Sequence, residues 1–341
     1  MSSPLGRVVT IGAHILDVLG YPVESIPAGQ GSARLKQIKA TAAGTAAGAA
    51  VDLAKLGADV YTIGAIGDDL LGDLLVAAMQ RHGVDTGGLV RKPDVQTSAT
   101  ILPIRPNGER PALHVPGATS LLARDDVDLA QLSDARAVLI GAPDALGGFV
   151  SDGLPDVVTA AKTAGALVAV DVLHPGRPAD FERLGPLLAR TDWFLPNMDQ
   201  LAALTGHEDP VSAIKTVLTH GTGGVAVTLG AQGCLVAWQG SDPVHLPALP
   251  ADVVDTTGCG DGFNAGMITG LLLGASAVDA AWLGVACGSL VATGLGSDAG
   301  LMSLDQALAF LRCTAAAPAD RLGNAFGSLE RQAPQSETET P

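Results

Sequence analysis

Asp255-Thr256-Thr257-Gly258-Cys259-Gly260-Asp261-Gly262-Phe263 runs directly into the apolar stretch Asn264–Gly274. Gly258 and Gly260 allow a tight turn and a close backbone approach to a ligand. The stretch that follows has helical composition, so the turn lies where a helix start exposes unpaired N–H groups. Such a start attracts phosphate. A carboxylate beside a phosphate is repelled by it, so Asp261 among these donors calls for a chemical reason. An Asp that takes a proton from an attacking hydroxyl, beside amides that hold a transferring phosphoryl group, is the minimum equipment for phosphoryl transfer to a small molecule. A flexible turn with Asp261 as a simple cap is the plainer alternative. A dinucleotide-binding loop fits less well, because it follows the first strand of a βαβ unit with an acidic residue about 20 positions on. Here the loop is late in the chain, and Asp279 falls in a helical stretch.

Composition narrows the class. The chain has 341 residues, 47% hydrophobic and only 16% charged, enough for a large core in one domain or two modest ones. A net charge of −15 argues against nucleic acid as a partner, since phosphate contacts need clustered Lys and Arg. Cys234, Cys259, Cys287 and Cys313 are widely spaced, with no CxxC pair, so neither zinc nor a disulfide framework is indicated. The start MSSPLGRVVTIG lacks the pattern of a secretory leader, and a cytoplasmic protein is expected. Ala280–Ser297 is uncharged, but its glycines and missing basic flanks point to a buried helix and not to a membrane span. Ser276 and Asp279 resemble a capping pair at its start.

Strand and helix patterns alternate along most of the chain. Strands are expected at Val8–Ile11, Val60–Ile66, Ala137–Ile140, Leu167–Asp171, Trp193–Leu195 and Gly224–Leu229. Helices are expected at Thr45–Leu56, Asp68–Arg81, Pro155–Ala164, Pro178–Ala189, Met198–Leu204 and Val211–Thr219. This alternation predicts an α/β fold: a doubly wound, mostly parallel sheet flanked by helices. Two segments, about 14–39 and 96–115, break the rhythm and read as extended. The second carries Asn107-Gly108 between extended runs, a hairpin signal. Together they are expected to form a small β-sheet lid. Thr41–Ala50 (TAAGTAAGAA) reads as an Ala/Gly helix start, and the polar 328–341 segment as a disordered tail after a single domain 1–327.

At this point the chain resembles the ribokinase (PfkB) family of carbohydrate kinases, over roughly Val8 to Gly300. Asp255–Asp261 (DTTGCGD) is similar to the family's DTxGAGD, with Cys259 where Ala is usual. Ala42–Asp69 resembles the amino-terminal glycine segment with its helix and following strand. Pro196–Gly206 (PNMDQLAALTG) resembles PNxxE, and Thr228–Gly233 (TLGAQG) resembles the nucleotide-contacting strand and turn. The resemblance implies a ribokinase-like fold with a β-sheet lid, ATP and Mg2+, a sugar or nucleoside hydroxyl as acceptor, and in some relatives K+ or a homodimer through the lid. It implies Asp261 as general base and the amides of Gly258, Cys259 and Gly260 as the anion hole. Asp17, Gly44, Thr45 and Gly48 would line the substrate site. Asn197, Thr228, Gly230, Gly233 and Thr256 would lie at the nucleotide, with Asn197 and Gln200 near the metal.

Three positions depart from the family pattern. Gly48 stands where Asn is usual, Gln200 where Glu is usual, and Ile15 where true ribokinases carry Asn. Asp171, at the end of a strand, could bind ligand or cap its loop. His14, Arg34, Lys36, Lys39, Arg105, Arg110 and His114 in the lid segments could meet an acidic sugar or form solvated hairpin faces. Cys259 at a helix start could be an activated thiolate or a small stand-in for Ala. An ATP-dependent sugar kinase acting on a primary hydroxyl is the leading expectation; the low aromatic content of the lid disfavours a nucleoside acceptor. A ligand-binding regulatory protein without turnover is the alternative outside enzymes.

Overall fold

The computed structural model describes residues 3–332. The strands are β1 (Arg7–Gly12), β2 (Ile15–Tyr21), β3 (Gln37–Ala43), β4 (Asp59–Gly67), β5 (Asp85–Lys92), β6 (Ala99–Pro103), β7 (Leu113–Val115), β8 (Ala135–Gly141), β9 (Leu167–Asp171), β10 (Trp193–Phe194), β11 (Gly224–Thr228), β12 (Cys234–Trp238) and β13 (Val244–Leu246). The α-helices are α1 (Ala47–Lys55), α2 (Leu70–Gln80), α3 (Phe149–Asp152), α4 (Leu154–Thr163), α5 (Pro178–Leu188), α6 (Met198–Thr205), α7 (Pro210–Thr219), α8 (Cys259–Leu272), α9 (Ala277–Val291), α10 (Leu304–Arg312) and α11 (Ala316–Gln332). The main sheet has nine strands in the order β13-β12-β11-β10-β9-β8-β1-β4-β5. Pairing is parallel from β5 to β11; β12 and β13 extend that edge antiparallel.

Both faces of this sheet are covered. One apolar layer joins α1, α8, α9, α10 and α11 to residues such as Val8, Leu139 and Ala226. The other joins α4, α5, α6 and α7 to Val9, Ile140, Val170 and Val225. That is why β1, β8 and β9 are apolar on nearly every residue instead of alternating. The stretch that imitated a membrane span is α9, buried against α8; among the described residues no helix is long and apolar enough to cross a membrane. These two helices approach closely because glycines face the contact: a Cβ on Gly266 would sit 2.7 Å from the Leu283 carbonyl, and one on Gly288 2.8 Å from that of Cys259. Ser276 caps α9 by accepting the Asp279 N–H at 3.2 Å, while the Asp279 carboxylate pairs with Arg321 of α11 at 2.6 and 2.7 Å.

The two extended segments do combine. They form a separate four-stranded sheet, β3-β2-β6-β7, in which β2 pairs antiparallel with β3 and parallel with β6. Two expectations need correction. Thr41–Ala43 belongs to β3 and the helix starts only at Ala47, because Gly44 turns the chain with φ +85°. The expected tail begins inside α11, which continues through Ser328 to Gln332 with Leu329 packed on the core; residues 333–341 lie outside the described residues.

The sheet reverses direction of growth between β1 and β8, and the crevice above their carboxyl ends is where ligands bind in such folds. The lid is tied to this region by Asp69. Its carboxylate caps α2 at the Gly72 N–H (2.8 Å) and accepts from the Thr97 N–H (2.9 Å) and hydroxyl (2.7 Å), just before β6. Asp69→Ala removes a helix cap and a lid anchor together. We expect a loss of about 0.5–2 kcal/mol in denaturant unfolding, the range for a lost cap.

Candidate active site

Helix α8 begins at Gly258, whose φ of +80° is in the left-handed region. A side chain there is strained by the backbone and also blocked, since a Cβ would sit 2.5 Å from Ser297 Cα. The preceding loop is pinned by the buried Asp255. One of its oxygens accepts the Thr257 N–H (3.0 Å) and hydroxyl (2.8 Å); the other accepts the Gly296 N–H at 2.9 Å. The amides of Cys259 and Gly260 therefore open the helix at a fixed place, and a Cβ on Gly260 would meet only open space. An anion can approach there.

Asp261 sits in the first turn of α8, deep in the crevice yet partly open to solvent. Burial raises its pKa well above the ordinary Asp value, and the nearby carboxylates of Asp171, Asp52 and Asp17 add to the shift; Arg110 opposes it. The neighbours are shifted too, each mainly by burial: Asp17 to about 6, Asp171 to about 7 and Asp52 to about 7. Since these folded-state values lie above the unfolded ones, the contribution of these three groups to stability is greatest at low pH and is lost as pH rises from about 4 through about 7.

Asp17 lies on β2 of the lid, opposite Thr41 of β3 and Thr100 of β6; the next residue in that row, His114, is 3.1 Å from the Thr100 hydroxyl. This polar row faces the crevice. Beside it Ile15 joins Ala13, Ala43 and Ala142 in an apolar wall. Gly44 and Thr45 sit at the floor: a Cβ on Gly141 would strike the Thr45 hydroxyl, which is buried with no partner. At the other end an isolated parallel bridge joins Asn197 to Thr228. Gly230 and Gly233, with φ of +58° and +91°, turn the chain between β11 and β12 beside that bridge.

Four sequence readings change with these coordinates. Gly48 offers no group to a substrate; it packs against Asp261, with its notional Cβ 2.8 Å from the Asp261 Cγ. A larger side chain there meets the Asp261 carboxylate first, which must shift to admit it. Gln200 is committed to the protein: its Oε1 accepts the Asn197 N–H (2.8 Å) and its Nε2 donates to the Val172 carbonyl (2.7 Å). The Asn197 side chain in turn accepts the Gln200 N–H at 2.9 Å. A Glu at position 200 could not make the bond to Val172, which accounts for the neutral residue. Cys259 is no activated thiolate, because burial pushes its pKa up to about 12 and outweighs the helix start. His14 is a buried structural group: its Nδ1–H donates to the Gly12 carbonyl (2.8 Å), and its Nε2 accepts from Thr62 (2.7 Å).

Residues outside the sequence-derived set also belong here. Asn264, one turn into α8, donates to Asp171 at 2.7 Å and so fixes that carboxylate beside Asp261. Asp52 of α1 raises the Asp261 pKa and Arg110 of the lid loop lowers it. Asn264 stands out in the sequence as a polar residue in an apolar helical run, and Arg110 is one of the lid residues read as meeting either an acidic sugar or solvent; Asp52 carries no signal. Two surface clefts of about 550 and 380 Å3 lie elsewhere, and none of these residues lines them.

Comparison with known proteins places this geometry. The profile of the pfkB family carbohydrate kinases matches residues 6–303. The chain is 30% identical over 290 residues to an ATP-dependent ribose-1-phosphate kinase of Halopiger xanaduensis, covering 84% of this chain and 92% of that one. It is 28% identical over 280 residues to a 2-dehydro-3-deoxygluconokinase of Bacillus subtilis, covering 79% and 86%. Among solved structures, Arabidopsis thaliana ribokinase complexed with ribose and ATP superposes with TM-score 0.75 at 26% identity, covering 92% of this chain and 99% of that one. A protein from E. coli described as a ribokinase II, in complex with ATP and Mg2+, gives TM-score 0.79 at 25% identity, covering 92% and 100%. The chain belongs to the pfkB family of carbohydrate kinases and is a sugar kinase of that family.

Close packing at Gly48 generates a direct test. Gly48→Ala must displace the Asp261 side chain, and, on the role proposed for Asp261 below, a misplacement of about 1 Å costs on the order of 10²-fold. We expect kcat to fall by that order while the thermal midpoint moves little, read by steady-state kinetics and melting in parallel.

Proposed function

We propose that the protein transfers the γ-phosphoryl group of ATP to a primary hydroxyl of a small sugar in the cytoplasm. The observation that carries this reading is the placement of Asp261 on the same helix turn as Gly260, whose surroundings are open, at the start of α8. The nucleotide would lie along Asn197, Thr228, Gly230, Gly233 and Thr256, with its terminal phosphate toward the start of α8. The acceptor would lie under the lid, its hydroxyls held by Asp17 and its neighbours and its carbon skeleton against Ile15 and the floor at Gly44 and Thr45. In the reaction the acceptor O–H gives its proton to the Asp261 carboxylate. The oxygen forms a bond to the γ-phosphorus in line as the bond to the leaving ADP oxygen breaks. The amides of Gly258, Cys259 and Gly260 would receive the charge that spreads over the phosphoryl oxygens.

Among the described residues of the lid strands Tyr21 is the one aromatic ring besides the His114 imidazole, and it packs on Leu19, Leu102, Ile104 and Leu295. Nothing on those strands sandwiches a purine, which supports a simple sugar over a nucleoside.

Mg2+ would supply charge neutralisation on the phosphates. Among the described residues no three His, Cys, Asp or Glu converge on a metal, and the amides of Asn197 and Gln200 are already bonded to protein, so the ion would rest on the nucleotide's own oxygens and water. A K+ site rests on the resemblance alone. The carbonyls of Leu295 and Asp298 already accept from the Lys39 and Lys55 ammonium groups, both at 2.8 Å.

The outer lid face carries Ile38, Ile101, Leu113 and Val115, all exposed, and Leu70 and Leu74 of α2 are also exposed. A second copy of the chain would cover this lid face. Ile101→Glu is expected to convert a dimer to a monomer in light scattering; a monomeric wild type overturns the homodimer.

Asp261→Asn should lower kcat by roughly 10²–10⁴ with ATP binding retained, measured by ADP release and by titration calorimetry. Asp261 must be ionised to act, so activity should rise with pH along an acid limb well above the ordinary Asp range. Asp52→Asn removes a like charge and should move that limb to lower pH.

A further inference from the structure

Helix α1 presents two residues to the first turn of α8. Gly48 packs on Asp261, and one turn later Asp52 lies against Gly262, where a Cβ would sit 3.4 Å from the Asp52 Oδ2. Asp52 is fully buried among the Ala, Val and Leu residues of α1. Its place in the interior of the helix excludes a capping role. A carboxyl group buried there is costly, and only one of its oxygens is satisfied. Oδ1 accepts from the Lys55 ammonium at 3.2 Å, while Oδ2 has no partner. The Lys55 side chain is itself only 6% exposed, and its ammonium also donates to the Asp298 carbonyl at 2.8 Å. Lys55 is therefore held from two sides, one residue on its own helix and one on the loop that follows α9.

Two neighbouring carboxyl groups shielded from water do not ionise independently, because the first charge raises the cost of the second. The geometry treats this pair unequally. Asp52 has a bonded ammonium, whereas the cation that acts on Asp261 is Arg110 of the lid loop. Asp261 also faces Asp171 at the end of β9 and Asp17 of β2; Asp52 also faces Asp298. The thiols of Cys259 and Cys287 meet the Asp52 charge as well, and burial keeps both protonated.

We propose that Lys55 is a positioning residue that acts on the base through Asp52: the ion pair places the negative charge on α1 and leaves the proton on Asp261, and so sets the pH at which the base becomes available. This rests on the kinase reading given above. Lys55 keeps its own protons throughout. With the pair intact, Asp261 loses its proton against the Asp52 charge and is a strong acceptor for that reason. Without Lys55, Asp52 retains a proton, and Asp261 ionises first, at lower pH and as a weaker base. A direct action of Lys55 on Asp261 has the opposite sign, since loss of a nearby positive charge holds Asp261 protonated to higher pH.

The test is the pH profile of kcat, read as ADP release from Mg·ATP by the full chain with the best acceptor among neutral pentoses and hexoses, sugar phosphates and keto-sugar acids. Wild type is compared with Lys55→Arg, Lys55→Met, Asp52→Asn and the double variant Asp52→Asn/Lys55→Met. Lys55→Met and Asp52→Asn are both expected to move the acid limb down by about 1 pH unit or more and to lower the plateau above it. Lys55→Arg keeps the ion pair and holds the limb in place. The double variant matches Asp52→Asn, because Lys55 acts only through Asp52. A limb that stays put or moves up in Lys55→Met overturns the proposal, as does a loss of kcat equal at every pH. A further shift of the limb in the double variant also overturns it. That comparison leaves neither charge of the pair in place and decides the matter if Lys55→Met alone does not fold. A wild type that releases no ADP with any acceptor brings down the kinase reading and this proposal together; an active wild type whose limb ignores Lys55 brings down this proposal alone.

Discussion

The crowding of carboxylates under the start of α8 is the constraint on which the site depends. Asp261 is flanked by Asp52 and Asp171, and all three have their ionised forms disfavoured chiefly by burial. The fold tolerates this because each group has a local support. Lys55 bonds Asp52 at 3.2 Å, Asn264 bonds Asp171 at 2.7 Å, and the helix start itself favours negative charge in its first turn. Removing any one support would leave a buried charge uncompensated, so the cluster holds α1, α8 and the end of β9 in one relative placement. A carboxyl group of raised pKa is the chemical product of that placement, and its carboxylate is a stronger proton acceptor than one of ordinary pKa.

A second set of contacts carries that placement outward to the lid. The loop 293–300 is wedged between the anion-hole loop and β3. It is held on one side by Asp255 and on the other by Lys39, which donates to the Leu295 carbonyl at 2.8 Å and pairs with Asp298. Lys55 reaches the Asp298 carbonyl, and His82 lies 3.5 Å from the Asp298 carboxylate. Ser297 donates to the Ala42 carbonyl at 2.6 Å. The base of the lid and the amides of the anion hole thus share one wedge. A lid strand cannot tilt at this end without loading the loop that positions Gly258.

Much of this was legible in the chain before any coordinates. Alternating apolar runs and helical stretches gave the layered sheet because buried parallel strands must be apolar on both faces. The glycine turn at 258–260 and its single Asp were readable because few structural needs combine those residues at a helix start. The supports were not legible. Asp52 lies 209 positions before Asp261 in an unremarkable helix, and Arg110 lies in a hairpin loop where charge is the norm; only the fold makes them neighbours. The edge strands β5, β12 and β13 and the carboxyl-terminal helix α11 also escaped. The edge strands are short or mixed in pattern, and the helix is amphipathic on a polar background that reads as tail.

The departures at Gly48 and Gln200, taken from sequence alone, motivated a protein that kept the fold and lost turnover. In three dimensions each is matched by its surroundings. Gly48 leaves the space that the Asp261 carboxylate occupies, so the position is shaped around the base and not vacated. Gln200 donates where a Glu could only accept, and its bonds to Asn197 and Val172 close the start of α6 against the strand end. Gln200 completes contacts to Asn197 and Val172, and Gly48 leaves room for the Asp261 carboxylate. The glycine turn, the ionisable base and the polar lid row all persist beside them. That consistency between local chemistry and overall geometry fits a sugar kinase of the family better than a fold emptied of its site.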